Sequence, residues 1–246
     1  MNCETKSISS KQIIREKVWE RLKDLRLARF PFPIKGRIPN FKCAEAAVEK
    51  LRAQALYQNA KVLKCNPDSP QRPLRQKALE DGKLIFMAVP RLRKEKCFIC
   101  LDPKRIDREN FRKAASISGS EKFGQPVFPW EMPPIDLIIA GSVAVTKNGS
   151  RIGKGGGYSD IEFAMMTQLG LVTAKTKIIS TVHDEQVVDD SWKIMPYDIP
   201  LDWVFTPTQS INCRKKHPRP KGILWDLLKP EMREGIPALD KLNPKK

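Results

Sequence analysis

The chain has 246 residues, of which 41% are hydrophobic and 30% charged, and its 45 lysines and arginines against 28 acidic residues give a net charge of +17. This composition is typical of a globular protein with one sizeable core, and the length excludes the small disulfide-stapled class. No apolar run approaches a membrane span and the first residues lack a secretory signal, so we expect a cytoplasmic or nuclear protein without a membrane partner.

The six cysteines are spread along the chain, which fits a reducing compartment. Cys97 and Cys100 have the spacing of metal ligands, but no second pair accompanies them. Residues three apart in a strand point to opposite faces, so we do not expect a zinc site here.

An amphipathic helix is predicted near the N-terminus. Ser9 and Gln12 form a capping box, and the apolar residues that follow recur on one helical face: Ile14, Val18, Leu22 and Leu25. Lys11 and Arg15 lie four residues apart and therefore project from the same side. They either reach a ligand's phosphates or remain solvated surface charges.

Further elements follow an extended, proline-containing linker. In chain order they are a helix from Ala44 to Ala55, a strand at 61–63, a helix from Leu74 to Glu80 closed by Gly82, and strands at Leu84–Val89 and Cys97–Leu101. Lys104 to Met132 shows little periodicity and is predicted to be a long loop. Its aromatic residues either line an apolar pocket or anchor the loop to the core: Phe123, Phe128 and Trp130.

The strand Asp136–Ala140 feeds a glycine-rich loop and then a helix, Tyr158–Leu169, which ends at Gly170. Lys177–Val182 and Trp203–Phe205 supply the last strands. Strands that alternate with helices predict an α/β fold with a mostly parallel sheet and helices on both faces, a three-layer Rossmann-like arrangement. Ligands of such sheets bind at the carboxyl ends of the strands, where this loop lies.

The loop has glycines at positions 149, 153, 155, 156 and 157. Backbone without Cβ atoms approaches a polyphosphate closely, and Arg151 and Lys154 add positive charge, so the loop is a candidate phosphate cradle. It matches neither common nucleotide loop, because no glycine is followed by Lys and then Ser or Thr, and Tyr158 replaces the last glycine of G-x-G-x-x-G. Its alternative interpretation is an ordinary flexible connection.

Positive charge is concentrated in two stretches. Residues 72–113 contain thirteen basic and six acidic residues, and residues 214–221 contain five basic and no acidic residues. Such patches attract RNA phosphates, or they favour solubility and a polyanionic small ligand. After Pro207 the pattern becomes irregular, with Ile223–Leu228 as the only plausible helix, so residues 208–246 are predicted to be a basic, proline-rich tail or linker.

Four segments resemble a known family. Arg151–Asp160 (RIGKGGGYSD) resembles the R-L-G-x-G-x-G-Y-Y-D-R signature of the 5-formyltetrahydrofolate cyclo-ligases, and Lys11–Arg15 resembles their K-x-x-L-R. The strand after Gly82 that ends in Pro90 also matches, as does Gln186 followed by residues 197–206. The resemblance covers residues 8–207, which we take as one cyclo-ligase-like domain.

The resemblance implies ATP-dependent closure of 5-formyltetrahydrofolate to 5,10-methenyltetrahydrofolate, with Mg²⁺ on the phosphates. It assigns catalysis to Arg151 and Tyr158, and the metal to Asp160 and Asp198. The nucleotide-binding residues that it implies are Lys11, Arg15, Arg151, Gly153, Lys154, Gly155, Gly156, Gly157, Tyr158 and Ser159.

Three positions depart from the family pattern. Ser159 replaces the second tyrosine, Ile161 replaces the terminal arginine, and the glutamate that meets folate in the family falls at Asn66 or Asp68. A lost carboxylate leaves donors of the ligand unpaired. We therefore expect a divergent member that binds ATP or a related phosphate ligand with weak or lost folate activity. The alternatives are an RNA-binding module and an active cyclo-ligase.

Overall fold

The computed structural model of the chain describes residues 10–214 and 217–243. The helices in these ranges are α1 Lys11–Asp24, α2 Ala44–Arg52, α3 Ala55–Gln58, α4 Arg72–Glu80, α5 Phe111–Ala114, α6 Ile117–Phe123, α7 Tyr158–Gln168, α8 Pro230–Gly235 and α9 Ala238–Leu242. The strands are β1 Ala28–Arg29, β2 Asn40–Phe41, β3 Val62–Cys65, β4 Leu84–Ala88, β5 Phe98–Leu101, β6 Gln125–Val127, β7 Leu137–Ile139, β8 Ala144–Val145, β9 Arg151–Ile152, β10 Lys177–Thr181, β11 Trp203–Phe205 and β12 Ser210–Asn212.

The main sheet has eight strands in the order β12-β11-β10-β7-β3-β4-β5-β6. The five strands from β11 to β4 are parallel, and antiparallel strands complete both edges. Helices α2 and α4 pack against it, at β10 and β11 and at β4 respectively. The predicted α/β class with a mostly parallel sheet is confirmed.

The centre of the sheet brings three strand ends together. All three residues of β7 are buried, as expected for a strand covered on both faces. Leu63 of β3 pairs with Leu137 of β7, and Ile139 pairs with Ile179 of β10. The carboxyl ends of β3, β7 and β10 therefore meet at one edge, where the loops of the candidate site begin.

Helix α1 begins one residue later than the predicted capping box. Ser10 caps it, because its hydroxyl accepts a hydrogen bond from the Ile13 N–H at 3.3 Å. Ser9 of the predicted capping box lies outside the described residues. Ile14, Val18 and Leu22 are buried as predicted. Leu25 is 51% exposed, because it lies at the C-cap, beyond the buried face.

The prediction of a long loop at Lys104–Met132 is wrong. This stretch contains α5, α6 and the edge strand β6, which pairs with β5. Helices of four and seven residues are too short to display a helical period in the sequence. Phe123 packs against the main core, and Phe128 stacks on the partly exposed Trp130 with ring centroids 4.9 Å apart.

The described part of the C-terminal segment packs against the domain. Strand β12 extends the main sheet beyond residue 207, and Ile236, Ala238 and Leu239 are buried in the main core. The predicted helix at Ile223–Leu228 is wrong, since only a 3-10 turn at Trp225–Leu227 forms there. The boundary at residue 207 remains a prediction about function, but the sheet and the core do not end there.

Cys97 is fully buried in the core and Cys100 is partly exposed. Burial raises the pKa of the Cys97 thiol to about 12 and that of Cys100 to about 11. Among the described residues, no cluster of three or more histidine, cysteine or acidic side chains could hold a metal ion. Nor does any helix in these ranges combine the length and apolar character needed to cross a bilayer.

Candidate functional site

The glycine loop lies between β9 and α7. It does not follow β7 directly, as the sequence predicted, because the β8–β9 hairpin intervenes. Gly155 has φ +103° and Gly157 has φ +72°, a region that side chains with a Cβ rarely adopt. Gly157 is the N-cap of the eleven-residue helix α7, whose first amides have no partner within the helix and favour an anion.

Arg15 reaches the loop from α1. Its Nε donates to the carbonyl of Gly153 at 2.7 Å, and a Cβ on Gly155 would lie 3.5 Å from its guanidinium carbon. Burial lowers the pKa of Arg15, and the positive charge of Arg151 adds to that effect. The guanidinium therefore lies against the glycine loop beside a second cation.

Lys11 projects from the same side of α1, as the four-residue spacing predicted. Its Nζ contacts both carboxylate oxygens of Asp198, at 2.5 and 2.6 Å. Asp198 also accepts a hydrogen bond from the Met195 N–H at 2.8 Å. Helix α1 therefore delivers two cations to the site from the far end of the sequence.

Arg151 is buried and links the segment that follows β7 to helix α7. Its Nη1 donates to the Gly141 carbonyl at 2.7 Å, and its Nη2 contacts Asp160 at 2.9 Å. Its Nε is buried without a hydrogen-bond partner. A Cβ on Gly153 would lie 3.2 Å from Nη1, so the guanidinium depends on glycine at that position.

Lys154 is the most exposed cation of the loop, with 48% of its side chain accessible. Its Nζ contacts Asp68 at 2.9 Å, and Asp68 lies in the loop that follows β3. The second oxygen of Asp68 approaches Gly141, where a Cβ would lie 3.0 Å from it. The ends of β3 and β7 and the glycine loop thus meet at one cluster of polar groups.

The two predicted metal ligands lie at the same site, each already paired with a cation. Burial raises the pKa of Asp160; the charge of Arg151 opposes this, and the nearby Asp198 raises it further. A carboxylate whose ionisation is disfavoured by burial and by a second carboxylate nearby suits a divalent cation. Since Mg²⁺ is commonly held by one or two carboxylates together with substrate phosphates, these residues fit Mg²⁺ bound with a nucleotide.

The other predicted loop residues follow Lys154 directly in the chain. Gly156 and Gly157 are exposed, and the Tyr158 ring lies 3.2 Å from where a Cβ on Gly156 would be. Tyr158 opens α7 and packs partly against the main core. The predicted role of Tyr158 in catalysis stays a prediction.

A buried polar network lies beneath the site, and the sequence analysis did not identify it. Lys64 in β3 is 1% exposed, and its Nζ donates to the Asn66 side chain at 2.8 Å and to the Glu162 carboxylate. Asn66 in turn donates to the Ser159 hydroxyl at 3.3 Å. The sequence feature that could have indicated this network is Lys64, a lysine within an apolar strand. Asn66 and Ser159, two of the positions discussed as departures, contact each other.

Two further buried side chains fix the loops of the site. Arg75 donates to the carbonyls of four residues at 2.6–3.1 Å, and these are Asn66, Pro67, Asp68 and Ala115. Gln186 donates to the Ser142 and Val143 carbonyls, each at 3.0 Å, and accepts from the His183 N–H at 2.8 Å. Arg75 was missed because a charged residue on an amphipathic helix is ordinarily solvated.

Comparisons with known proteins agree with this architecture. A model of the 5-formyltetrahydrofolate cyclo-ligase family matches residues 7–207. The methenyltetrahydrofolate synthase domain-containing protein of Mus musculus is 39% identical over 241 residues, which are 98% of this chain and 65% of the mouse protein. Its Homo sapiens counterpart is 37% identical over 235 residues, 95% of this chain and 61% of the human protein. The chain thus spans less than two thirds of these relatives.

A solved structure shows the same fold. The NMR structure of Aquifex aeolicus 5,10-methenyltetrahydrofolate synthetase superimposes with a TM-score of 0.52 at 17% sequence identity. The match covers 85% of this chain and 95% of the Aquifex chain.

Proposed function

The chain belongs to the 5-formyltetrahydrofolate cyclo-ligase family, and we propose that it is a divergent member that binds ATP, or a related phosphate compound, at the glycine loop and has weak or no folate activity. One observation carries the proposal. Four cations from α1, β9 and the loop lie around one helix N-terminus, and they are Lys11, Arg15, Arg151 and Lys154.

Two lysines of the site would bind the phosphates in place of the carboxylates that they contact in the ligand-free protein. Lys11 and Lys154 now contact the carboxylates of Asp198 and Asp68. A polyphosphate would replace those carboxylates, and the amides at the start of α7 would add hydrogen bonds. Mg²⁺ held at Asp160 and Asp198 would neutralise phosphate charge. Because Arg151 is buried, its contribution is a fixed positive charge beside the phosphates.

The residues at the expected folate-binding positions support the proposal of weak or no folate activity. The resemblance places the folate-binding glutamate at Asn66 or Asp68. Here the Asn66 amide contacts Lys64 and Ser159, and the Asp68 carboxylate contacts Lys154. Neither side chain is free to meet a pterin ring without losing those contacts. We therefore expect little or no methenyltetrahydrofolate absorbance when the protein is incubated with 5-formyltetrahydrofolate, ATP and Mg²⁺.

Titration calorimetry with Mg·ATP tests the proposal. Lys154→Ala is expected to weaken ATP binding about 10-fold, the value of one charge-assisted hydrogen bond. Its stability should hardly change, because the pair with Asp68 is half-exposed at the lysine. Lys104→Ala, an exposed lysine in another part of the chain, is the matched control. No binding by the unaltered protein, or equal binding by both variants, contradicts the proposal.

RNA binding is the second candidate, and one surface groove favours it. The groove has a volume of about 820 Å³ and contains Phe30 and Phe32, which are 77% and 60% exposed. Its basic residues are Arg29, Arg72, Lys77 and Arg112. Exposed aromatic rings beside arginines suit stacked bases and their phosphates.

One basic side chain of the tail already contacts the domain. The Arg219 guanidinium contacts the Thr173 and Thr176 carbonyls and Asp202. Lys215 and Lys216 lie outside the described residues. The groove is therefore the surface to test.

Fluorescence anisotropy with a labelled single-stranded oligouridine checks this candidate. The double variant Phe30→Ser/Phe32→Ser is expected to weaken binding at least about 10-fold, since each stacked base contributes about 1–3 kcal/mol. Arg72→Ala/Arg112→Ala should reduce the slope of log affinity against log salt by about 1.4. Lys104→Ala serves again as the control. Unchanged affinity in the phenylalanine variant removes the groove as an RNA site.

A further inference from the structure

Residues 222–242 form a strap along helix α7. Both ends of the strap are tied to one side chain, because Gln168 accepts a hydrogen bond from the Ile223 N–H at 3.3 Å and donates to the Leu242 carbonyl at 2.8 Å. Gln168 is the last residue of α7. The strap thus leaves and rejoins the domain at the carboxyl end of this helix.

The middle of the strap reaches the opposite end of α7. The Cε and Sδ atoms of Met232 in α8 lie 3.2 and 3.9 Å from the position that a Cβ on Gly157 would take. Gly157 is the N-cap of α7. A helix of eleven residues is about 16 Å long, so the strap spans the length of α7. It turns back at the glycine loop.

The strap is held firmly in this position. Ile223, Ile236, Ala238 and Leu239 are buried in the main core, and Met232 packs against it. Residues with this burial do not detach at low cost, because each would expose apolar surface. Met232 therefore contacts the loop as a fixed part of the domain.

We propose that the strap is part of the phosphate site, in which Met232 is a positioning residue that holds the Gly155–Gly157 turn in its anion-binding conformation. This inference rests on the proposed function. Met232 approaches Gly157 on the side where a Cβ would project, which differs from the direction of its N–H. The thioether thus supports the turn from the Cβ side of Gly157.

The backbone conformation favours glycine at position 157, and the contact with Met232 adds to this preference. Any side chain there would be strained at φ +72° and would press on the Met232 methyl group. Met232 lies outside residues 7–207, the range of the family match. A segment beyond the range of the family match therefore contributes to the proposed site.

The test compares Met232→Ala with Met232→Leu, which keeps an apolar side chain of similar volume. Leu227→Ala, on an exposed residue of the same strap, is the control. In the ligand-free full chain, backbone ¹⁵N order parameters at positions 155–157 are expected to fall from about 0.85 to below about 0.6 in Met232→Ala only. Affinity for ATP and for inorganic tripolyphosphate should fall together, by about 5-fold, and Met232→Leu should restore both.

The outcomes separate the two proposals. Order parameters that are unchanged in Met232→Ala overturn the strap's role, whatever the ligand result. Tighter binding in Met232→Ala also overturns it, because Met232 would then obstruct the site. If the unaltered protein binds neither ATP nor tripolyphosphate, the proposed function fails, whereas the order parameters still decide whether Met232 holds the turn.

Discussion

Replacement of Arg75 by leucine is expected to lower the free energy of unfolding by about 3–5 kcal/mol, the largest stability change that we expect from a single side chain. Arg75 is 1% exposed and is the donor to four carbonyls. Leucine fills part of the volume but removes the guanidinium donor from all four carbonyls, and the Asp68 carbonyl keeps only its bond from the Gln71 N–H. Because three of them belong to the loop of residues 66–68, the loop that contains Asp68 should lose its fixed conformation.

Urea denaturation measures this change, and Arg72→Ala is the matched control. Arg72 lies on the same helix but is exposed, with a single hydrogen bond to the Arg112 carbonyl. Its replacement should change stability by no more than about 0.5 kcal/mol. A loss below about 1 kcal/mol in Arg75→Leu would show that water can satisfy the carbonyls and that the loop does not depend on the guanidinium.

The second large effect concerns ATP. Arg151→Ala is expected to reduce ATP affinity at least about 100-fold, because it removes a cation fixed in a buried site where charge is weakly screened. It should also cost about 3 kcal/mol of stability, since the Asp160 carboxylate, whose side chain is only 17% exposed, loses its partner. That loss should diminish as the pH falls, because a protonated Asp160 needs no counter-charge.

A double variant separates the two roles of Arg151. In Arg151→Ala/Asp160→Asn the uncompensated carboxylate is absent, so about half of the lost stability should return. ATP binding should not return, because the cation is still missing. Calorimetry and urea denaturation of both variants provide the measurements. Recovery of ATP affinity in the double variant would mean that Arg151 serves only to neutralise Asp160.

The strands and the glycine loop could be predicted from the sequence because their signals are local. Trp203–Phe205 was placed correctly, and the start of α7 at Tyr158 follows from the glycines before it. The resemblance to the cyclo-ligase family assigned Lys11, Arg15 and the loop to one site, and the structure brings them together. Whether these groups bind a ligand stays a prediction.

The features that could not be predicted from the sequence depend on contacts between residues far apart in the chain. Lys64 and Glu162 are 98 residues apart in the sequence, and they form a buried pair only because β3 and α7 lie next to each other in the fold. Arg75 looks solvated on its helix until the 66–68 loop is folded over it. The short helices between residues 104 and 132 and the docking of residues 222–242 depend on packing, which no local period reveals.

The docking of the C-terminal strap has a practical consequence for work on related chains. Trimming the protein at residue 207, where the family match ends, would uncover the surface that Ile236, Ala238 and Leu239 now cover and would remove edge strand β12. Apolar surface and an unprotected strand edge promote aggregation. A shortened chain that precipitates would therefore report a damaged fold rather than an inactive protein.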